Sequence, residues 1–128
     1  MKLEQQVTSL ELSNKLKELG VKQDSWFAID TKGEIGEIKY ALDEHDSFGF
    51  DGFCSAFTVA ELGEMLPVEI RKAQSKHWYI LEIEKTKECW FIRYKNKIDS
   101  WLNIGFKSNT EIDARAKMLI YLIEEKLI

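Results

Sequence analysis

The residues of this chain that could do chemistry are few, and their spacing argues against most of it. Asp43-Glu44-His45-Asp46, with Asp51 beyond, sets carboxylates close enough to hold a divalent cation through oxygen. The run lacks the alternating acids and the later bidentate glutamate of an EF-hand loop, so a solvated acidic loop is the simpler reading. His45, Cys54, His77 and Cys89 carry the donor atoms of a zinc site, but no two of them form the close pair that pre-arranges one. Cys54-Ser55 lies a few residues ahead of a helix cap, where a thiol pKa can fall, but a buried structural thiol is the favoured reading. Glu82 and Glu84 lie two apart on an extended run and share a face, which a polar surface explains without general acid–base work. No nucleophile elbow, phosphate loop or dinucleotide fingerprint occurs, and neither histidine adjoins a Ser or Cys in a nucleophile motif. The sequence weighs against an enzyme and asks for no metal or cofactor.

Charge is more informative than chemistry. The net charge is −4 over 128 residues, 45% of them apolar, which is the composition of one globular domain of residues 1–128. The charge is unevenly spread. Residues 30–64 carry nine acidic and two basic groups, net −7, whereas residues 71–97 carry eight basic and three acidic, net +5. One proline and seven glycines exclude a Pro- or Gly-rich linker. The start, MKLEQQVTSLELS, has no apolar signal core, and no apolar run is long enough to span a bilayer. These features point to the cytoplasm and to two reduced, largely buried cysteines.

The elements that must position these groups form an α+β pattern. Leu10, Leu12, Leu16 and Leu19 recur at helical spacing, Thr8 and Glu11 fit a capping box, and Gly20 fits the left-handed stop. Trp26 to Ile29 and Glu34 to Leu42 read as strands joined by a turn at Asp30-Thr31-Lys32-Gly33. Residues 43–54, DEHDSFGFDGFC, have no period and read as a loop. Thr58 and Glu61 cap a short helix that Pro67 ends. Three strands then form an antiparallel meander. His77 to Glu84 sets Tyr79, Leu81 and Ile83 against Trp78, Ile80, Glu82 and Glu84. Cys89 to Lys95 sets Trp90, Ile92 and Tyr94 against Phe91 and Arg93, and Asp99 to Phe106 points Leu102, Ile104 and Phe106 inward. A long C-terminal helix, capped at Ser108 or Thr110, covers the meander with Ile112, Ala116, Leu119, Ile120, Ile123 and Leu127.

Two stretches raise nucleic acid as a partner. Leu12 to Asp30 has the outline of a helix-turn-helix, but its second half has strand formers and only Lys22 as a base, so a recognition helix is not expected there. The order helix, three strands, helix is that of a double-stranded-RNA-binding domain. Arg71, Lys72, Lys76, Trp78, Phe91, Arg93 and Trp101 would then form a basic, aromatic face. Against it, the last helix opens on Thr110-Glu111-Ile112-Asp113, which repels phosphate. Burial of the outer aromatics under the N-terminal helix and hairpin is the favoured expectation.

At SAFTVAELGEMLP (residues 55–67) and TEIDARAKMLIYLIEEKLI (residues 110–128), with LEQQVTSLELSNKLKELGVKQDS near the start, the chain resembles a group of short phage and prophage proteins of gut and related bacteria. The resemblance covers about half the chain and implies a constant scaffold presenting a variable surface; no activity and no site residue comes with it. It makes a small accessory protein that binds a bacterial host protein, such as a defence or regulatory factor, the leading expectation. The residues proposed for that contact are Asp43, Glu44, Asp46, Phe48, Phe50, Asp51 and Phe53, which combine aromatic anchors with charge. A nucleic-acid module is the alternative, and a small metal-dependent enzyme comes third.

Overall fold

The computed structural model describes residues 2–37, 53–71, 76–96, 98 and 104–128. Asp43, Glu44, Asp46, Phe48, Phe50 and Asp51 of the acidic loop, and Lys72 and Trp101 of the basic face, lie outside the described residues.

The chain begins with a short 3-10 turn, Leu3–Gln5, followed by helix α1, Leu10–Glu18. Its cap differs from the expected Thr8: the Ser9 hydroxyl accepts from Leu12 N–H. Thr8 is wholly buried and serves a tertiary purpose instead. Its hydroxyl accepts from Phe57 N–H and lies 2.7 Å from the Ser13 hydroxyl, so it ties the N-terminus to the segment ahead of the second helix. The stop is as the sequence predicts. Gly20 N–H donates to Lys17 O and Val21 N–H to Leu16 O, with Gly20 at φ +86°, a backbone state that glycine enters without steric penalty.

Strand β1, Phe27–Asp30, pairs antiparallel with β2, Ile35–Glu37. The Asp30 carboxylate accepts from Lys32 and Glu34 N–H, and Gly33 takes φ +86°, which together close the turn. No helix occupies residues 23–30, so the helix-turn-helix outline fails there. A third strand, β3, Phe53–Ser55, pairs on the other side of β1 and makes a sheet of order β2-β1-β3. Helix α2, Val59–Met65, has both halves of its capping box: Thr58 accepts from Glu61 N–H, and the Glu61 carboxylate accepts from Thr58 N–H. That carboxylate also accepts from the Ser25 hydroxyl and Trp26 N–H, both at 2.9 Å, which fastens the start of β1 to the start of α2.

The second sheet has the order β4-β5-β6-β7, with β4 Glu69–Ile70, β5 Tyr79–Lys85, β6 Trp90–Lys95 and β7 Ile104–Ser108. All its pairings are antiparallel. The meander is as expected, and the two-residue β4 adds an edge to it. Tyr79, Ile92, Tyr94 and Ile104 point inward and are buried. Helix α3, Glu111–Glu124, starts at Thr110, whose hydroxyl accepts from Asp113 N–H, and covers the inner face. It buries Ala114, Met118 and Leu122 besides Ile112, Ala116 and Leu119. The arc is wider than one stripe because α3 meets the sheet on one side and α1 and α2 on the other.

Two apolar clusters result. The larger joins α2, α3 and the inner sheet face; the smaller holds Val7, Ile29, Cys54 and Ala56 under the first sheet. Helix α1 bridges them, with Leu16 in the larger and Leu10 packed against the smaller. The molecule is therefore one α+β unit built on two antiparallel sheets. Among the described residues no helix is long and apolar enough to cross a membrane.

Candidate functional site

Period-two alternation gives the β4–β7 sheet two faces, and only the inner one is covered by α3. On the outer face stand Glu69 from β4, Ile80, Glu82 and Glu84 from β5, Phe91, Arg93 and Lys95 from β6, and Lys107 from β7, with Trp78 just ahead of β5. The register sets Ile80 opposite Lys95, Glu82 opposite Arg93 and Glu84 opposite Phe91, with Lys107 next to Phe91. The expectation that the N-terminal helix and hairpin bury these aromatics fails at Trp78, whereas Phe91 is half-buried. Trp78 is 53% exposed and Ile80 54%. The reason is that α1 packs on α3, β1 and β3, all on the other side of the molecule's core.

Trp78, Ile80, Ile98, Lys95, Asn96 and Glu82 line a shallow groove of about 390 Å³ at one end of this face. Its form is held from beneath: the Asn96 side-chain amide donates to Trp78 O, and its carbonyl oxygen accepts from Ile98 N–H, both at 2.7 Å. From sequence, Asn96 reads only as a turn residue with Lys97, and Ile98 by itself carries no signal of a site. An Asn immediately after a strand, followed two residues on by an apolar side chain, is the signal that could have found them.

Electrostatics next to the groove decides what it suits. Arg93 Nε donates to Glu82 and Nη2 to Glu84, each at 3.0 Å. The hydrogen bond from Arg93 holds the Glu82 carboxyl below its ordinary pKa, and the same bond, with the two carboxylates, raises that of Arg93. So the central cation of the expected basic face is engaged by two anions. Across the described face, Glu69, Glu82 and Glu84 balance Arg93, Lys95 and Lys107. Of the other residues expected on that face, Phe91 is half-buried on it, whereas Arg71 and Lys76 are exposed in the connection between β4 and β5.

The remaining candidates are less telling. Phe53, the one described member of the expected partner-binding set, opens β3 half-buried, and its carbonyl accepts from Lys17 Nζ at 2.8 Å. Cys54 is buried in β3 beside Ile29 O and Asn14 Oδ1. Burial raises its thiol pKa, with Lys17 opposing, so it is not an activated nucleophile. Cys89 is half-buried and lies beside Thr86 in the β5–β6 turn. Among the described residues no three His, Cys, Asp or Glu side chains converge as a metal site would require.

Further concavities lie among the described residues. A cleft of about 470 Å³ between Phe27 and Trp90 lies at the starts of α2 and α3. The acids Glu111 and Asp113 in the first turn of α3 oppose an anion there. A groove of about 420 Å³ between α1 and α3 is lined by Leu12, Phe106, Ile120 and Tyr121, all packed against the core. The outer sheet face differs from both in presenting large apolar side chains that are more than half exposed. Compared with protein-family models, curated proteins and solved structures, the chain matches none.

Proposed function

We propose that this chain is a non-enzymatic protein-interaction module whose working surface is the outer face of the β4–β7 sheet. One observation carries the reading: Trp78, Ile80 and Ile98 stand exposed together around a groove, beside the Arg93–Glu82–Glu84 triad on a face whose three described acids and three described bases balance. Exposed aromatic and aliphatic anchors ringed by balanced charge suit a protein surface. A phosphate backbone wants uncompensated cations, and here the central arginine is already committed. The resemblance to short phage and prophage proteins supports a bacterial host protein as the partner, with a defence or regulatory factor as its class.

Affinity capture from host lysate at low and moderate salt tests this. The wild-type chain is expected to retain a defined host protein that Ile80→Glu loses, while a substitution on the far side, Glu18→Ala, keeps it. Retention of the same protein by Ile80→Glu, or no retention by the wild type, overturns the proposal. Tryptophan fluorescence that shifts on adding an oligonucleotide, with a steep salt dependence, would favour the nucleic-acid alternative instead.

A further inference from the structure

The outer sheet face carries its charges in an order that the count alone conceals. Its acids, Glu69, Glu82 and Glu84, all lie on β4 and β5; its bases, Arg93, Lys95 and Lys107, all lie on β6 and β7. The face is thus divided along a line running between β5 and β6, acidic on one side and basic on the other. Along that line its character also changes, with Trp78, Ile80 and Ile98 clustered at one end.

We infer that this face is complementary to itself and closes on a second copy of the chain, giving a symmetric dimer as the resting form. The inference rests on the reading of the face as a protein-binding surface, and names its first occupant. Consider a half-turn about an axis lying in the interface and running along the strands between β5 and β6. It stacks β5 of one copy over β6 of the other and keeps every residue at its own level along the strands. Glu82 and Arg93 are register partners and so stand at one level; each therefore meets its opposite in the second copy. The apolar end meets the apolar end, where Ile80, the register partner of Lys95, lies over the alkyl stem of that lysine in the second copy. The alternative in-plane axis, across the strands, stacks β5 on β5 and β6 on β6, which sets acid on acid and base on base. One packing is favoured and the other opposed, as an isologous interface requires.

The layer so formed is a β-sandwich, with two sheets packed face to face in nearly aligned directions. The bonds from Arg93 to Glu82 and Glu84 hold the guanidinium in place and leave further N–H donors for a carboxylate of the second copy. Because the same anchors would seat a host protein, self-association and host binding compete for one face. Dimerisation then shields Trp78 until a partner displaces the second copy.

Sedimentation equilibrium over a concentration series tests this with the full chain. The wild type is expected at twice the 15.0 kDa chain mass, falling to one chain mass on dilution. Ile80→Glu is expected to stay at one chain mass, with an unchanged far-ultraviolet circular dichroism spectrum because Ile80 is a half-exposed position. The sharper arm uses charge reversal. Glu82→Lys with Glu84→Lys makes the β5–β6 centre of the face basic, and Arg93→Glu with Lys95→Glu makes it acidic. Each pair alone should be monomeric, and an equimolar mixture should regain the dimer mass. That rescue places the outer sheet face of both copies in the contact, because opposite faces attract where like faces repel. A wild type that stays monomeric at every concentration, a dimer that survives Ile80→Glu, or reversed pairs that fail to complement each overturn the inference. A monomeric wild type that still captures a host protein through Ile80 leaves the functional proposal standing; a dimer through this face with no captured protein does the reverse.

Discussion

The two faces of the β4–β7 sheet are built from the same strands and the same alternation, yet they carry opposite burdens. The inner face places Tyr79, Ile92, Tyr94 and Ile104 under α3, where side chains have lost water altogether. The outer face leaves Trp78 and Ile80 more than half exposed and fastens its charges to one another. Substitutions inside are therefore expected to act on stability, and substitutions outside on association. A side chain's value here depends on which parity of the strand it occupies.

The largest effect should separate the faces most clearly. Leu119→Ala beneath the sheet removes a fully buried side chain and is expected to cost about 2–5 kcal/mol in urea unfolding. Ile80→Ala outside should stay within about 0.5 kcal/mol when measured at concentrations where the chain is monomeric. A cost for Ile80→Ala as large as that for Leu119→Ala would mean that the outer face is part of the core.

A smaller contrast divides two buried tyrosines on the inner face. Tyr94 donates its hydroxyl to Pro67 O at 2.6 Å, whereas the Tyr79 hydroxyl is buried with no hydrogen-bond partner among the described residues. Tyr94→Phe is expected to destabilise by about 1 kcal/mol. Tyr79→Phe, which removes an unsatisfied polar atom, should be neutral or stabilising. Equal losses for the two would show that Tyr79 has a partner after all, a buried water being the simplest.

Burial also pushes Tyr94 up to about 12. Its pKa is higher folded than unfolded, so the contribution is complete below about 10, the unfolded value. It is lost as pH rises through 12. The wild type should lose stability across that alkaline window more steeply than Tyr94→Phe, as chemical denaturation at stepped pH would show. The smallest effect belongs to the outer face. The Glu82 carboxyl is held below its ordinary value, so the pairing with Arg93 contributes above the unfolded carboxylate pKa and is lost as pH falls through the folded one. Acid titration of Glu82 by NMR should show the lowered value, and Arg93→Ala should return it to the ordinary range with little change in the unfolding midpoint. A Glu82 that titrates normally in the wild type would remove the triad as a feature of the face.

Much of this architecture was legible from residue order. The Thr58–Glu61 capping box, the Gly20 stop and the alternation in β5 and β6 are local signals, and each structure forms where its signal lies. The strands β3 and β4 were not legible, because two or three residues cannot display a period. Thr8 misled for a related reason. A hydroxyl ahead of a helix reads as a cap, but this one is buried against Phe57, and its neighbour Ser9 takes the role. Glu61 was read only as a cap, and its bonds to Ser25 and Trp26, far away in sequence, carry no mark in the chain.

The candidate site divides in the same way. The sequence by itself determined the α+β order, the facing of each long strand and the polarity of charge along the chain, because these follow from backbone geometry and from composition. Only the tertiary structure decided which face of the sheet would be closed. That depended on where α1 docked, and an amphipathic helix of this length can find more than one apolar surface to cover. It chose α3 and the first sheet, and so Trp78 and Ile80 were left facing outward beside the bonds from Arg93 to Glu82 and Glu84.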